Sequence, residues 1–309
     1  MTSIVENPEF ETQLSLSWAP VHYQNVDPNG DQSLGGRADY LTAVDFDGDW
    51  ESSNNWENLA YYRAKAVVYY SVVESETHWF IIYAFYHPRD WIKAFELEAA
   101  HENDMEGVLL TVERPQAEGQ DLFGAAKSLI TVAHLDFFSY VPADSGWTHG
   151  PKHLFFLPGE DIDGRLTTET FEGRPHPVTC QEARGHGCKA DNQYPTKKPA
   201  VRYQPSLTES EEPSHNDDRT VPYKLVSIFE PGGLWDRKDD ELLFASHGVF
   251  LGDTHGQDKA HAPWRWDDRN DGSQLQGGEL ATDPIKLIRI YFSNLGNFSD
   301  TYTSNRYIP

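Results

Sequence analysis

Two adjacent stretches, Ala64 to Glu74 and Thr77 to Tyr86, limit most strongly what this chain can become. They carry Val67, Val68, Tyr69, Tyr70, Val72 and Val73, then Trp79, Phe80, Ile81, Ile82, Tyr83 and Phe85. β-branched and aromatic side chains favour the pleated surface of a strand. Neither stretch alternates cleanly between polar and apolar, so both faces need covering. The join at Ser75-Glu76 is short, which makes the pair a hairpin. His87-Pro88-Arg89-Asp90-Trp91 is expected to end it, because proline cannot donate to a strand ladder.

Further strands are expected over Gly107 to Val112, Ala125 to Val141, His153 to Leu157, His176 to Cys180 and Pro222 to Phe229. On the long strand from Ala125 to Val141, His134 and Asp136 would share a face. Helical patterns are few: a turn over Lys93 to Glu98, a helix over Leu234 to Ser246, and one that starts with proline at Asp283-Pro284 and carries Leu287, Ile288, Tyr291 and Phe292. The expected fold is mostly β, a two-sheet β-sandwich with peripheral helices and long loops. All 309 residues are read as one domain. Residues 1–60 form an N-terminal arm and an acidic loop, 61–190 the core, 191–220 a flexible loop, and 221–309 a C-terminal strand and helices. There is no internal repeat.

The charge narrows the partners. Asp and Glu number 49 against 25 Lys and Arg, a net charge of -24. Nucleic acid and anionic membrane surfaces are disfavoured by repulsion. No apolar run approaches a transmembrane span. No secretory leader is visible at Met1 to Glu6, so the default location is cytoplasmic, or secreted if a leader was removed. Cys180 and Cys188 bracket Gly185-His186-Gly187. Two free thiols is one reading; the other is a disulfide worth roughly 2–3 kcal/mol, with the pair close enough to bridge.

The chemistry concentrates at Ala100-His101-Glu102-Asn103-Asp104-Met105-Glu106. In a strand, Asp104 and Glu106 point to the same face, and His101 joins them from the loop. Asp90 is a possible fourth member. With oxygens outnumbering imidazoles and no thiolate near in sequence, the set suits a divalent cation, calcium or magnesium before zinc. His134 and His186 are expected around the open side; the glycines beside His186 would leave its ring accessible. The acids of Asp45, Asp47 and Asp49 fail the EF-hand spacing and read as a surface turn, with a small calcium loop as the alternative. Trp264 and Trp266 flank Arg265 and read as packing under a loop, with stacking on a sugar as the alternative. No nucleophile elbow, phosphate loop or dinucleotide fingerprint is present.

The heptapeptide resembles the central one of necrosis- and ethylene-inducing peptide-like proteins, usually Gly-His-Arg-His-Asp-Trp-Glu. His101, Asp104 and Glu106 match; Ala100, Glu102, Asn103 and Met105 depart. Ile82 to Asp90 looks like that family's strand before its metal-binding aspartate, and His134 and Gly185-His186-Gly187 sit where it places further histidines. A vacuolar-sorting-associated family looks like a distant relative, and His176-Pro177-Val178 fits its His-Pro-Val element. The resemblance covers roughly residues 60 to 190. It implies a β-sandwich with a divalent cation at one end that recognises a small polar ligand, a sugar or glycolipid headgroup. The alternative is a metal-dependent hydrolase acting on an ester, phosphodiester or glycoconjugate, with His134 or His186 as general base.

Overall fold

The computed structural model describes residues 4, 7–94, 97–98, 100–134, 136–150, 163–190, 200–214, 219–253, 255–268 and 277–308. The chain begins with helix α1 (Pro8–Trp18), where the expected arm would be. The Asn7 side chain accepts the Phe10 N–H and Pro8 occupies the first turn, a start signal for a helix. Strands follow in order: β1 (Val21–Asn25), β2 (Val67–Ser75), β3 (His78–Asp90), β4 (Lys93–Ala94), β5 (Leu97–Glu98), β6 (His101–Glu113), β7 (Ala125–Ala133), β8 (Asp136–Val141), β9 (Thr148–His149) and β10 (Asp163–Arg165). Then come β11 (Thr168–Phe171), β12 (Arg174–Gln181), β13 (Cys188–Ala190), β14 (Ala200–Ser206) and β15 (Arg219–Ser227). The last helix of the chain spans Pro284–Tyr291, as its proline and apolar stripe predict.

Among the described residues, thirteen strands join in one sheet, in the order β10-β8-β7-β6-β3-β2-β15-β14-β1-β12-β11, with β13 on β12 and Tyr302–Ser304 on β2. The sheet is mixed: β14, β15 and β2 run parallel to one another, while β2, β3, β6, β7 and β8 form an antiparallel meander. It curls into a half-barrel, bringing β13 back against β7. This corrects the expected two-sheet sandwich. The central strands do have two covered faces, but a second sheet does not supply both covers.

The two faces bury separate cores. Val68, Tyr70, Val72, Ile81, Tyr83, Phe85, Val108 and Leu110 enter the core inside the curl, with Leu14 and Trp18 of α1. Val67, Tyr69, Val73, Phe80, Ile82, Ala84, Tyr86 and Leu109 enter the other. That outer core is closed by the last third of the chain: Phe250, Trp264, Trp266, Leu287, Ile288 and Tyr291. The alternation along β2 and β3 is the period of two that a strand imposes. At about 25 cal/mol per Å² of apolar surface, burial on both faces makes these strands the main source of stability.

Other expectations change in detail. Strand β3 runs through Pro88 to Asp90, since Pro88 falls at a gap in the β3–β6 register. Lys93 to Glu98 holds the short β4–β5 hairpin rather than a helical turn. Ala125 to Val141 is two strands turned at His134, whose φ is +60°, so His134 and Asp136 are not same-face neighbours on one strand. Within the expected flexible loop 191–220, Ala200–Ser206 is an internal strand paired on both sides. Leu234 to Ser246 forms turns and a short strand rather than a helix. Cys180 and Cys188 are buried on adjacent strands, one residue out of register, and no disulfide joins them. That offset sends alternate side chains to opposite faces. The strand expected at His153 to Leu157 lies outside the described residues.

Candidate functional site

The site is built on the ends of β3 and β6. Their register sets Asp90 opposite His101, His87 opposite Asp104 and Phe85 opposite Glu106. His101 Nε2 lies 3.3 Å from Asp90 Oδ2, and His101 Nδ1–H donates to the Asn103 carbonyl at 2.8 Å. Burial alone would raise the Asp90 carboxyl, but the hydrogen bond and charge of His101 outweigh it and hold it low. Burial likewise pulls the His101 imidazole down, and Asp90 more than reverses this.

Asn103 makes the arrangement possible. Its φ is +58°, in the left-handed region that asparagine tolerates better than most residues. This kink interrupts the alternation, so His101, Asp104 and Glu106 can all reach one pocket. The Asn103 side chain is fully employed. Its Nδ2 donates to the carbonyls of Ser52 and Leu251, and its Oδ1 accepts from Tyr86 Oη–H and Asn55 Nδ2.

That pocket holds about 530 Å³. Asp90, His101, Asp104, Glu106 and His134 line it together, so five of the six residues singled out from the sequence converge. The opposite wall comes from the last third of the chain: Asp258, Lys259, His261, Trp266 and Asp267. Trp266 packs on β6 because Gly107 has no side chain there, and its Nε1–H donates to the Met105 carbonyl at 2.7 Å. Trp266 thus packs on a strand, where packing under a loop was expected, and it also walls the pocket.

Glu106 is the most constrained member. Its Oε1 accepts the His134 backbone N–H at 2.6 Å and lies 3.4 Å from His134 Nδ1. Its Oε2 is buried and has no hydrogen-bond partner among the described residues. Burial pushes this carboxyl up, to about 8, against the opposing pull of His134. His134 reaches Glu182 with its other nitrogen at 3.3 Å. Burial would lower His134, but the charge of Glu106 and the bond to Glu182 raise it to about 10. The imidazole rests on the Gly185–Gly187 segment; a Cβ at Gly185 would sit 2.9 Å from His134 Cε1.

His186, expected to be accessible between its glycines, is wholly buried behind this wall. Its φ is +54°. The glycines admit the backbone approach, but the ring turns inward. Nδ1 lies 2.9 Å from Asp104 Oδ2 and Nε2 lies 3.3 Å from Asp39 Oδ1. Burial would lower His186; the two carboxylates outweigh it and raise it to about 10. Besides Asp258, Lys259, His261 and Asp267 in the opposite wall, sequence reasoning missed Asp39 and Glu182. Neither has a spacing signal, since each meets the site only through the fold.

A hard divalent cation suits the donor chemistry here: three carboxylates, one imidazole and an orphaned buried oxygen on Glu106. The arrangement as it stands is not closed around a point. Among the described residues, no three His, Cys, Asp or Glu side chains are gathered as a cation-holding group. Each carboxylate is turned toward an imidazole or a backbone N–H.

Compared with solved structures, the chain is similar to NLPPya in complex with glucosamine, at 15% identity over 92% of this chain and 91% of that one, with a TM-score of 0.39. It is similar to NLPPya in complex with mannosamine at 16% identity, over 82% and 84% of the two chains, TM-score 0.36. Necrosis and Ethylene inducing Protein 2 from the causal agent of cocoa's Witches Broom disease follows at 13%, over 70% and 73%, TM-score 0.26. No family model matches the chain, and no curated protein matches it. The similar structures are of the necrosis-inducing kind, and the vacuolar-sorting-associated likeness gains no support. No helix among the described residues is long and apolar enough to cross a membrane.

Proposed function

We propose that the pocket between β6 and the 258–267 segment recognises a small polar ligand, a sugar or polar-lipid headgroup. Asp90, His101, Asp104 and Glu106 would hold a divalent cation that shares in binding it. The observation that carries this reading is Glu106, a residue that lines the pocket and whose buried Oε2 has no hydrogen-bond partner among the described residues. Leaving such an atom unpaired costs roughly 1–3 kcal/mol, more when charged, and a ligand hydroxyl, a ligand ammonium or a cation would recover it. Calcium or magnesium suits the oxygen-rich set better than zinc. The indole of Trp266 and the side chains of Ile92 and Met105 add the apolar wall typical of small-ligand pockets.

The hydrolytic alternative needs a neutral imidazole to take a proton. Both ring nitrogens of His134 are turned to carboxylates, Glu106 at 3.4 Å and Glu182 at 3.3 Å, and His186 is buried away from the pocket. Recognition is therefore the better supported role.

Calorimetric titration tests it, with calcium, magnesium and zinc alone, then with glucosamine and mannosamine, each with and without chelator. Binding in the parent that disappears in Glu106→Ala, with the circular dichroism spectrum unchanged, is the expected result. Parental binding in Glu106→Ala would remove the assignment.

A further inference from the structure

Asp39 does not line the pocket, yet four donors converge on its carboxylate. Its Oδ2 accepts the Asp27 backbone N–H at 2.7 Å. Its Oδ1 accepts Trp91 Nε1–H and the Arg184 backbone N–H, both at 2.8 Å, and His186 Nε2–H at 3.3 Å. These donors come from three separate parts of the chain: the turn after β1, the residue after β3, and the loop after β12. The carboxylate is wholly buried, so no water competes for it.

The consequence passes through His186. One hydrogen bond, from Nδ1 to Asp104, would leave the imidazole free to pivot. The second, from Nε2 to Asp39, fixes the ring at both nitrogens, and His87 stacked 3.8 Å away fixes its plane. Asp104 lines the pocket with its Oδ2 taken by this ring, so the other oxygen is what it can offer a ligand. We propose that Asp39 is a positioning residue: held by Trp91, Arg184 and Asp27, it locks His186, which sets the Asp104 carboxylate for whatever enters the pocket. The proposal rests on the recognition role argued above.

A double-mutant cycle separates positioning from plain structural support. Calcium chloride and glucosamine are titrated calorimetrically into the parent, Asp39→Asn, Asp104→Asn and the double variant. Replacing a group bonded directly to a metal ligand weakens binding roughly 10- to 100-fold; Asp39 acts one contact further out, through His186, so a loss at the lower end, about 10-fold, is its expected effect. That loss is expected for Asp39→Asn in the parent and absent in the Asp104→Asn background. An equal loss in both backgrounds, or none in either, overturns the proposal. The low-field proton resonance of His186 Nδ1–H, bonded to Asp104, is a readout that needs no ligand. It should be present in the parent, lost in Asp104→Asn and shifted in Asp39→Asn; an unshifted signal in Asp39→Asn overturns the proposal. A parent that binds neither probe, together with a shifted signal, would sink the recognition role and leave the positioning intact. Should Asp39→Asn fail to fold, His186→Asn serves in its place. Its amide is too short to span both carboxylates, and parental affinity in that variant would also overturn the proposal.

Discussion

His87 lies flat against His186, with ring centroids 3.8 Å apart and planes 7° from parallel, but their surroundings shift the two rings in opposite directions. Burial holds His87 well below its ordinary value, with the charge of His186 adding to the effect. His186 stands between two carboxylates and is raised. Replacing each ring by phenylalanine should therefore have unequal effects. His87→Phe loses one hydrogen bond to Gln181, on the order of 1–2 kcal/mol. His186→Phe leaves two buried carboxylates without their counter-charge, roughly 3–5 kcal/mol. Urea denaturation of both variants checks the order; equal losses would mean that His186 is not the buried cation.

His22 gives a separate pH signature. It is buried, stacked 4.2 Å from Phe85, and burial pushes it down to about 3. Between that value and the ordinary 6.5, the unfolded chain binds a proton that the folded chain refuses. Stability contributed by neutral His22 is thus present above about 6.5 and is lost as pH falls toward 3. The free energy of unfolding, measured from pH 7 to pH 4, should fall less steeply in His22→Phe by about one proton. Parallel slopes for parent and variant would contradict this.

Gly107 should tolerate no side chain. A Cβ there would stand 2.1 Å from the Tyr83 carbonyl and 2.7 Å from the Trp266 ring. Backbone cannot yield cheaply in the middle of a sheet, so Gly107→Ala should destabilise by about 2–3 kcal/mol. Trp266 should also move, which a changed tryptophan emission would report.

Asn103→Ala should cost on the order of 3 kcal/mol. It removes the side-chain donor from the Ser52 carbonyl, one of two donors from the Leu251 carbonyl and the acceptor of the Tyr86 hydroxyl, and places alanine at a positive φ. Asn103→Gly repairs only the backbone part, so it should recover a fraction of the loss. Full recovery in glycine would show that the hydrogen bonds contribute little.

What the sequence made legible was local. The apolar runs on both faces of β2 and β3 forced a central hairpin, and parity along β6 put Asp104 and Glu106 on one side. What it hid was either weakly patterned or distant. Helix α1 mixes Thr12, Gln13, Ser15 and Ser17 among its apolar residues, so only the Asn7-Pro8 start could have announced it. Strand β14 contains Pro205 and alternates with polar residues, which reads as loop until its partners are known. Asp39 meets His186 across 147 residues, and no spacing rule reaches that far.

The order of strands has a kinetic consequence. Val21–Asn25 pairs with Arg174–Gln181 on one side and Ala200–Ser206 on the other, and Val67–Ser75 needs Arg219–Ser227. The N-terminal strand therefore emerges during synthesis with both edges bare and no partner yet made. The meander from β2 to β8 and the β11–β12–β13 unit can close by neighbouring turns, whereas β1 pairs only with segments remote in the chain, as do β14 with β1 and β15 with β2. Pairings this remote slow folding and expose sticky edges meanwhile. Refolding from denaturant should show an early phase that protects amides of β3, β6 and β7, followed by a slower one that protects β1 and β14 together.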